Sequence, residues 1–547
     1  MLFIFLSLTL IMPVLIGWGF IAENICRCKI LPGISGKILS GITFLGILLT
    51  VIAFFLSISI YVEATVLCAG LFYFFKERSY ITLFNFFKNS GIAFSVTVLT
   101  AIASASFYPF ILDHFGYYIP TIKWLSEFGL IKGISNLDLT LGQMSVWHVF
   151  QTGFSHISDP YLRINALVAV TYLIYIFENR NWIHLTFFPV FFFFIQSPTP
   201  DLPAYVFSLI AVDEILRKKT MSSGLLAFSI FIFMIKPTMI WLPIFVFLNL
   251  VVKKEISTRI TISGIFILAL FIIKNIWTFG YPIFPLTFFD LHLSWKPNPE
   301  MMKLSSEYAG LKTYDAQYSS EQIQNFTTWE SIRNWIFIPG IKSIFNIGLL
   351  VSLTVYGVFT FIKREKKHGI LFSSLVLKSV LILSFSAQYR FFLEVFPVIF
   401  IAVFYHSNIK KFSVIIFSAG SLAALSFLIN PQILRYCVPS FRLGNTMGEF
   451  ERSQLYRPAA YFYNDYNYFK VGNLDVKVSK KYPFNYETPI PAISEGFMFD
   501  YQRFGIFPQW QNPDNIKSGI IWKKLGHHEK AELDNAIKVI KNNYQQP

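Results

Sequence analysis

Residues 2–22 read LFIFLSLTLIMPVLIGWGFIA, an uncharged and almost wholly apolar run. A helix of that length rises about 1.5 Å per residue and crosses the roughly 30 Å hydrocarbon layer of a bilayer. No basic stretch precedes it and no small-residue cleavage site follows, so it reads as a retained membrane helix and not a removable signal peptide. Comparable runs recur near 38–58, 60–75, 91–112, 162–178, 183–198, 203–216, 222–235, 238–252, 260–278, 342–362, 370–386, 391–405 and 412–429. The expectation is an α-helical polytopic membrane protein of about fourteen transmembrane helices.

Composition points the same way. The chain has 547 residues, 54% of them hydrophobic and only 14% charged, with 62 Phe. Soluble proteins carry roughly 25% charged residues. Mean hydropathy is +0.53. A soluble enzyme, a disordered chain, a collagen and a coiled coil are excluded. The net charge of +15 reads as lysine and arginine gathered in cytoplasmic loops, not as a nucleic-acid surface. Cys26 and Cys28 form a C-x-C with no second pair, and Cys437 stands alone, so neither a zinc site nor a disulfide framework is signalled.

Charge sets an orientation. Basic residues cluster in alternate loops: Arg27, Lys29 and Lys37; Lys76, Arg78 and Lys88; Arg217, Lys218 and Lys219; Lys253, Lys254 and Arg259; Lys363, Arg364, Lys366 and Lys367; Lys410 and Lys411. The positive-inside rule places these in the cytoplasm and the N-terminus outside. Segments 113–161, 279–341 and 430–547 then lie outside. The organisation read from the sequence is N-terminal transmembrane helices over 1–90, a transmembrane core over 91–429 with the first two of those segments as outer loops, and a small C-terminal extracytoplasmic α+β domain over 430–547. Segment 113–161 reads as short amphipathic helices, with Trp124 and Trp147 at the membrane interface.

Candidate chemistry lies at that outer face. Asp113 stands where a helix leaves the membrane, followed by His114, Phe115, Gly116, Tyr117 and Tyr118. Partial desolvation there raises a carboxylate toward the working range of a general base; a plain helix cap is the alternative. Asp201 ends the tight Ser197-Pro198-Thr199-Pro200 turn. Lys236 precedes Pro237 in a short outer turn, against the charge bias, so it either faces an anion or snorkels to the interface. Tyr389-Arg390 forms another outer turn, and Lys274-Asn275 lies near an outer helix end. Lys378 is deep in a predicted span, where an ionisable residue is a functional candidate. His148 and His156 have no ligand partners in sequence, and no P-loop, G-x-S-x-G, H-E-x-x-H or dinucleotide fingerprint occurs. The pattern is carboxylates and cations at one face: cations for a lipid-linked phosphate, a carboxylate for a sugar acceptor.

The ordered set Asp113…Tyr118…Ile122-Lys123-Trp124-Leu125…Phe128-Gly129-Leu130…Gly133…Asn136-Leu137…Leu141-Gly142 resembles the first large outer loop of bacterial multi-pass families similar in layout to the GT-C glycosyltransferase superfamily. Pro198-Thr199-Pro200-Asp201-Leu202-Pro203, Lys274-Asn275…Gly280-Tyr281-Pro282…Pro285 and Tyr389-Arg390-Phe391-Phe392-Leu393…Pro397 extend the resemblance over about residues 91–405. The resemblance implies a GT-C-like fold and a polyprenyl-phosphate sugar donor, with Asp113 as catalytic base. It implies substrate contacts from His114, Tyr117, Tyr118, Asn136, Asp138, Asp201, Lys236, Lys274, Tyr389 and Arg390. The expected partners are that donor, a glycan, lipid or protein acceptor, and the bilayer of a bacterial inner membrane. No cofactor is signalled, and a divalent metal is compatible but not indicated. Two alternatives stay open: a polysaccharide polymerase or ligase, and a lipid-linked glycan flippase.

Overall fold

The computed structural model describes residues 1–218, 220–437 and 448–545. Lys219 of the basic loops lies outside the described residues. Six helices among the described residues are long and apolar enough to cross a membrane: Leu2–Cys26, Gly33–Phe55, Ser79–Ala105, Thr258–Phe279, Lys342–Lys363 and Lys410–Ile429. Shorter helices accompany them, including Ile60–Lys76, Asn165–Asn179, Asp201–Arg217, Leu225–Ile235, Trp241–Lys253, Lys366–Leu383 and Val395–Phe404.

Small residues let the first helices touch backbone to backbone. A Cβ on Gly17 would sit 1.8 Å from the Gly70 carbonyl oxygen. Such contacts replace the hydrophobic drive that is missing between helices in lipid. Gly33–Phe55 packs on Asn165–Asn179 and Leu225–Ile235, so the first helices share the core of the later ones.

Two predicted runs differ from the structure. The run 183–198 is not a continuous helix but a 3₁₀ turn Trp182–Thr186, a short helix Phe188–Phe191 and further turns. Pro189 removes a donor there. The side chains of Asn165 and Gln196 take the Phe194 and Phe192 carbonyls at 3.1 and 2.5 Å. The run predicted from residue 91 starts earlier, at Ser79, and places Lys88 inside a helix. Gly91, at φ 72, kinks that helix.

The helix ends sort into two groups. At one end Gly224 donates to the Lys29 carbonyl at 2.9 Å, Ile34 donates to Glu178 at 2.6 Å, and Lys367 donates to the Leu216 carbonyl at 2.9 Å. Loops predicted as basic and cytoplasmic therefore meet one another. At the other end, segment 113–161 forms a π-helical turn His114–Tyr118 and the helices Ile119–Glu127 and Val146–Thr152. Trp124 and Trp147 are fully buried there and not interfacial. Trp124 packs on Phe128 and Trp510, and the Trp147 indole donates to Asn165 at 2.9 Å.

The C-terminal segment covers this end. It holds two antiparallel strand pairs, Tyr466–Val471 with Leu474–Ser479 and Ile506–Trp510 with Ile520–Lys524, and the helices Glu495–Phe504 and His527–Gln545. The two-residue Gly472-Asn473 turn, with Gly472 at φ 62, closes the first pair. Tyr486 donates to the Phe115 carbonyl at 3.0 Å, Ile520 to the Lys132 carbonyl at 2.9 Å, and Lys123 pairs with Glu487 at 2.7 Å.

Candidate functional site

Prolines fix where the site forms. Pro200 stands just before Asp201, the first residue of its helix; Pro237 stops the helix that ends at Ile235 and leaves Lys236 in the turn. Arg390 sits in the 3₁₀ turn Tyr389–Phe391 between two helices, and Asp113 directly precedes the π-helical turn.

These four residues, far apart in sequence, converge as two ion pairs. Arg390 Nη1 lies 3.1 Å from Asp113 Oδ2, and Lys236 Nζ lies 2.6 Å from Asp201 Oδ1. The pairs are joined through backbone. Lys236 Nζ is 3.3 Å from the Arg390 carbonyl, which also accepts the Tyr205 hydroxyl at 2.5 Å. The Asp113 and Arg390 side chains are 34% and 40% exposed, whereas those of Asp201 and Lys236 are 16% and 7% exposed. The first pair opens to solvent and the second closes the floor. Arg390 Nε is buried and has no hydrogen-bond partner among the described residues.

Aromatic groups line one side. Tyr117 meets Tyr118 edge to face at 4.6 Å, and Tyr118 packs on the His148 ring at 4.7 Å. The Tyr118 hydroxyl donates to Thr199 Oγ1 at 3.3 Å, and Thr199 Oγ1 also accepts the Asp201 amide. Burial raises both phenols well above their usual range, so they remain neutral donors. Burial lowers His148 to about 3 and His114 well below its usual value, so both rings are neutral at physiological pH. Burial pulls the Lys236 ammonium down against the opposing pull of Asp201. Burial also works against the Arg390 charge, but Asp113 and Asp201 outweigh it and the net shift is upward.

Other predicted site residues stand elsewhere. Asn136 Nδ2 donates to the carbonyls of Trp295, Ile520 and Gly133 at 2.7, 3.1 and 3.2 Å, which ties segment 113–161 to the C-terminal strands. Asp138 caps the following 3₁₀ turn through the Thr140 amide at 2.9 Å, and burial raises it to about 6. Lys274 donates to the Gln143 and Met144 carbonyls at 2.7 and 3.0 Å and braces that loop instead of joining the ion pairs. Tyr389 stacks on Phe345 at 5.2 Å, beside the site. His114 is buried and packs on Phe115 at 4.8 Å. His156 turns away from His148 to the Ile58 carbonyl at 3.0 Å.

The structure adds what the sequence reading did not assign. Lys378 pairs with Glu394, four residues beyond Arg390, and both are almost completely buried. Tyr205 and Thr199 link the two halves of the site. The signal for Glu394 was the deep Lys378 itself, because an intramembrane cation needs a counter-charge.

Residues 1–397 match a family described as "Domain of unknown function (DUF8201)". The chain belongs to this family. The matched region carries Asp113, Asp201, Lys236, Arg390 and Glu394 and ends before the C-terminal segment. No curated protein and no solved structure matches the chain.

Proposed function

We propose that the protein is an integral-membrane glycosyltransferase of GT-C-like layout. It has about fourteen transmembrane segments and sits in a bacterial inner membrane, with the site and the C-terminal segment on the outer face. The donor is a polyprenyl-phosphate sugar and the acceptor a glycan, lipid or protein. The observation that carries the reading is the convergence of Asp113, Arg390, Asp201 and Lys236 at one end of the bundle.

The donor phosphate takes the place of Asp113 on Arg390, whose planar fork suits a phosphate. That exchange frees the Asp113 carboxylate. Asp113 takes the proton of an acceptor hydroxyl, whose oxygen forms a bond to the anomeric carbon. The bond from that carbon to the phosphate oxygen breaks, and the phosphate leaves with the electron pair and inversion at carbon. Arg390, with Lys236 behind it, stabilises the developing phosphate charge. Tyr117, half-buried, offers a neutral hydroxyl and a ring face to a sugar, and the fully buried Tyr118 backs it edge to face. The Lys378–Glu394 pair, buried charges within the bundle, favours a flippase; a donor-dependent transfer assay in proteoliposomes separates the two.

The test compares cell-envelope glycans from wild type, a deletion and Asp113→Asn. Transfer centred on Asp113 predicts that both mutants lack the same sugar while the variant inserts at normal levels. A wild-type glycan profile in Asp113→Asn beside a loss in the deletion overturns it.

A further inference from the structure

The helix Thr328–Ile336 divides its surface three ways. Trp335 faces the protein: its indole donates to the Ala387 carbonyl at 2.8 Å. Glu330 and Asn334 form a polar side, with Glu330 closing a capping box on Thr327. Trp329, Ile332 and Ile336, spaced as one helical stripe, form the third side, where Trp329 and Ile332 are 69% and 46% exposed and Ile336 is half-buried against the core. Arg333 lies beside that stripe and is exposed.

The neighbouring span says what covers the stripe. The Trp335 carbonyl accepts a 2.7 Å bond from Asn346, in the second turn of the helix Lys342–Lys363. That helix is 22 residues long and among those able to cross a membrane. At 1.5 Å per residue its length is about that of the hydrocarbon layer, so its opening turns lie at the membrane boundary. Exposed apolar side chains follow along the chain at Phe337 and Ile341, and then at Ile344, Ile347 and Val351, spaced three and four residues apart on the span. The stripe thus sits beside the opening turns of a span whose own exposed flank is apolar.

We propose that Thr328–Ile336 lies along the membrane surface, with Trp329, Ile332 and Ile336 in the boundary between headgroups and acyl chains and Arg333 reaching to lipid phosphates. Tryptophan and arginine suit that boundary by having an apolar body and a polar tip. The same helix holds the Arg390 turn at this depth through Trp335 and Ala387, and Tyr389 of that turn stacks on Phe345 of the span. A lipid-linked phosphate then reaches Arg390 without leaving its leaflet, a consequence that rests on the proposed function.

The test is a nitroxide scan of the full chain, with its native cysteines replaced by serine, in nanodiscs of phosphatidylcholine and phosphatidylglycerol. Labels go on cysteines placed singly at Trp329, Glu330, Ile332 and Asn334. The expected result is collision with oxygen favoured over a water-soluble nickel chelate at 329 and 332, and the reverse at 330 and 334. Nickel-favoured collision at 329 and 332, or exclusion of both reagents there, overturns the proposal, the second pointing to a protein partner. The scan needs neither donor nor acceptor, so its failure leaves glycosyl transfer standing, and loss of the glycan reading leaves the scan standing.

Discussion

Removing one member of the Lys378–Glu394 pair isolates the energetics of the site's support. The two side chains are 1% and 0% exposed. The Lys378 ammonium has the Met239 sulfur at 3.9 Å and the Trp241 ring at 5.9 Å around it, neither of which offers a second counter-charge. Lys378→Met keeps length and bulk but leaves Glu394 as a buried carboxylate without its cation. Breaking such a pair costs about 3–5 kcal/mol, whereas replacing both members by apolar groups is often neutral or stabilising. We therefore expect Lys378→Met to lose about 3 kcal/mol or more in reversible unfolding from mixed detergent–SDS micelles, and Lys378→Met/Glu394→Leu to recover most of it. Glu394 lies four residues after Arg390, so the single variant is also expected to lose the glycan at permissive temperature. The reasoning fails if the single variant costs under about 1 kcal/mol, or if the double variant is no better than the single.

Arg390→Gln separates stability from chemistry. The Arg390–Asp113 pair is more than one-third exposed, so its loss should cost no more than about 1 kcal/mol of stability while transfer falls about 10²–10³-fold; equal small effects on both would sink the assignment. Buried Asp159 is raised by burial to about 7 from an unfolded value of 3.8. Between those values the folded chain binds a proton that the unfolded chain does not, so this residue's stabilisation is present below about pH 4 and lost as pH rises to about 7. Asp159→Asn should flatten that slope in melting curves taken from pH 4 to pH 8. Glu63 is buried and accepts the amides of His156, Ile157 and Ser158 and the Ser158 hydroxyl at 2.7–3.0 Å. Glu63→Gln keeps one acceptor oxygen and should cost about 2–3 kcal/mol in the same unfolding assay.

What was legible in the sequence follows from what is local. An apolar run bounded by charge or proline declares a helix by itself, so Leu2–Cys26 and Lys342–Lys363 were readable to within a few residues. The run 183–198 misled because its apolarity is real but Pro189 interrupts the backbone ladder, and the Phe194 and Phe192 carbonyls are taken by the side chains of Asn165, outside the run, and Gln196, within it. Trp124 and Trp147 misled for the related reason that a tryptophan suits a buried packing site as well as a membrane boundary, and only the covering segment decides. Asp113, Asp201, Lys236 and Arg390 stood out because each is a charge at a helix end on the sparsely charged side of the bundle. Lys274 carries the same local signal, yet it spends its ammonium on two carbonyls. The missing information was the pairing, which joins residues up to 277 positions apart.

The pairing also bears on how the site stays ready. Two carboxylates and two cations leave the quartet neutral overall, so it carries no net charge into a low-dielectric setting. The buried Asp201–Lys236 pair is fixed by Tyr205 and the Arg390 carbonyl, whereas the half-exposed Asp113–Arg390 pair is held by one contact. On the proposed function, an arriving phosphate competes for Arg390, at the weaker and wetter pair, and leaves the floor undisturbed. If so, Asp113→Asn should bind inorganic phosphate or a polyprenyl phosphate more tightly than wild type, because no carboxylate has to be displaced, even as transfer is abolished. Weaker phosphate binding by Asp113→Asn than by wild type would show that Asp113 orients Arg390 for the ligand instead of competing with it, and the exchange step would have to be abandoned.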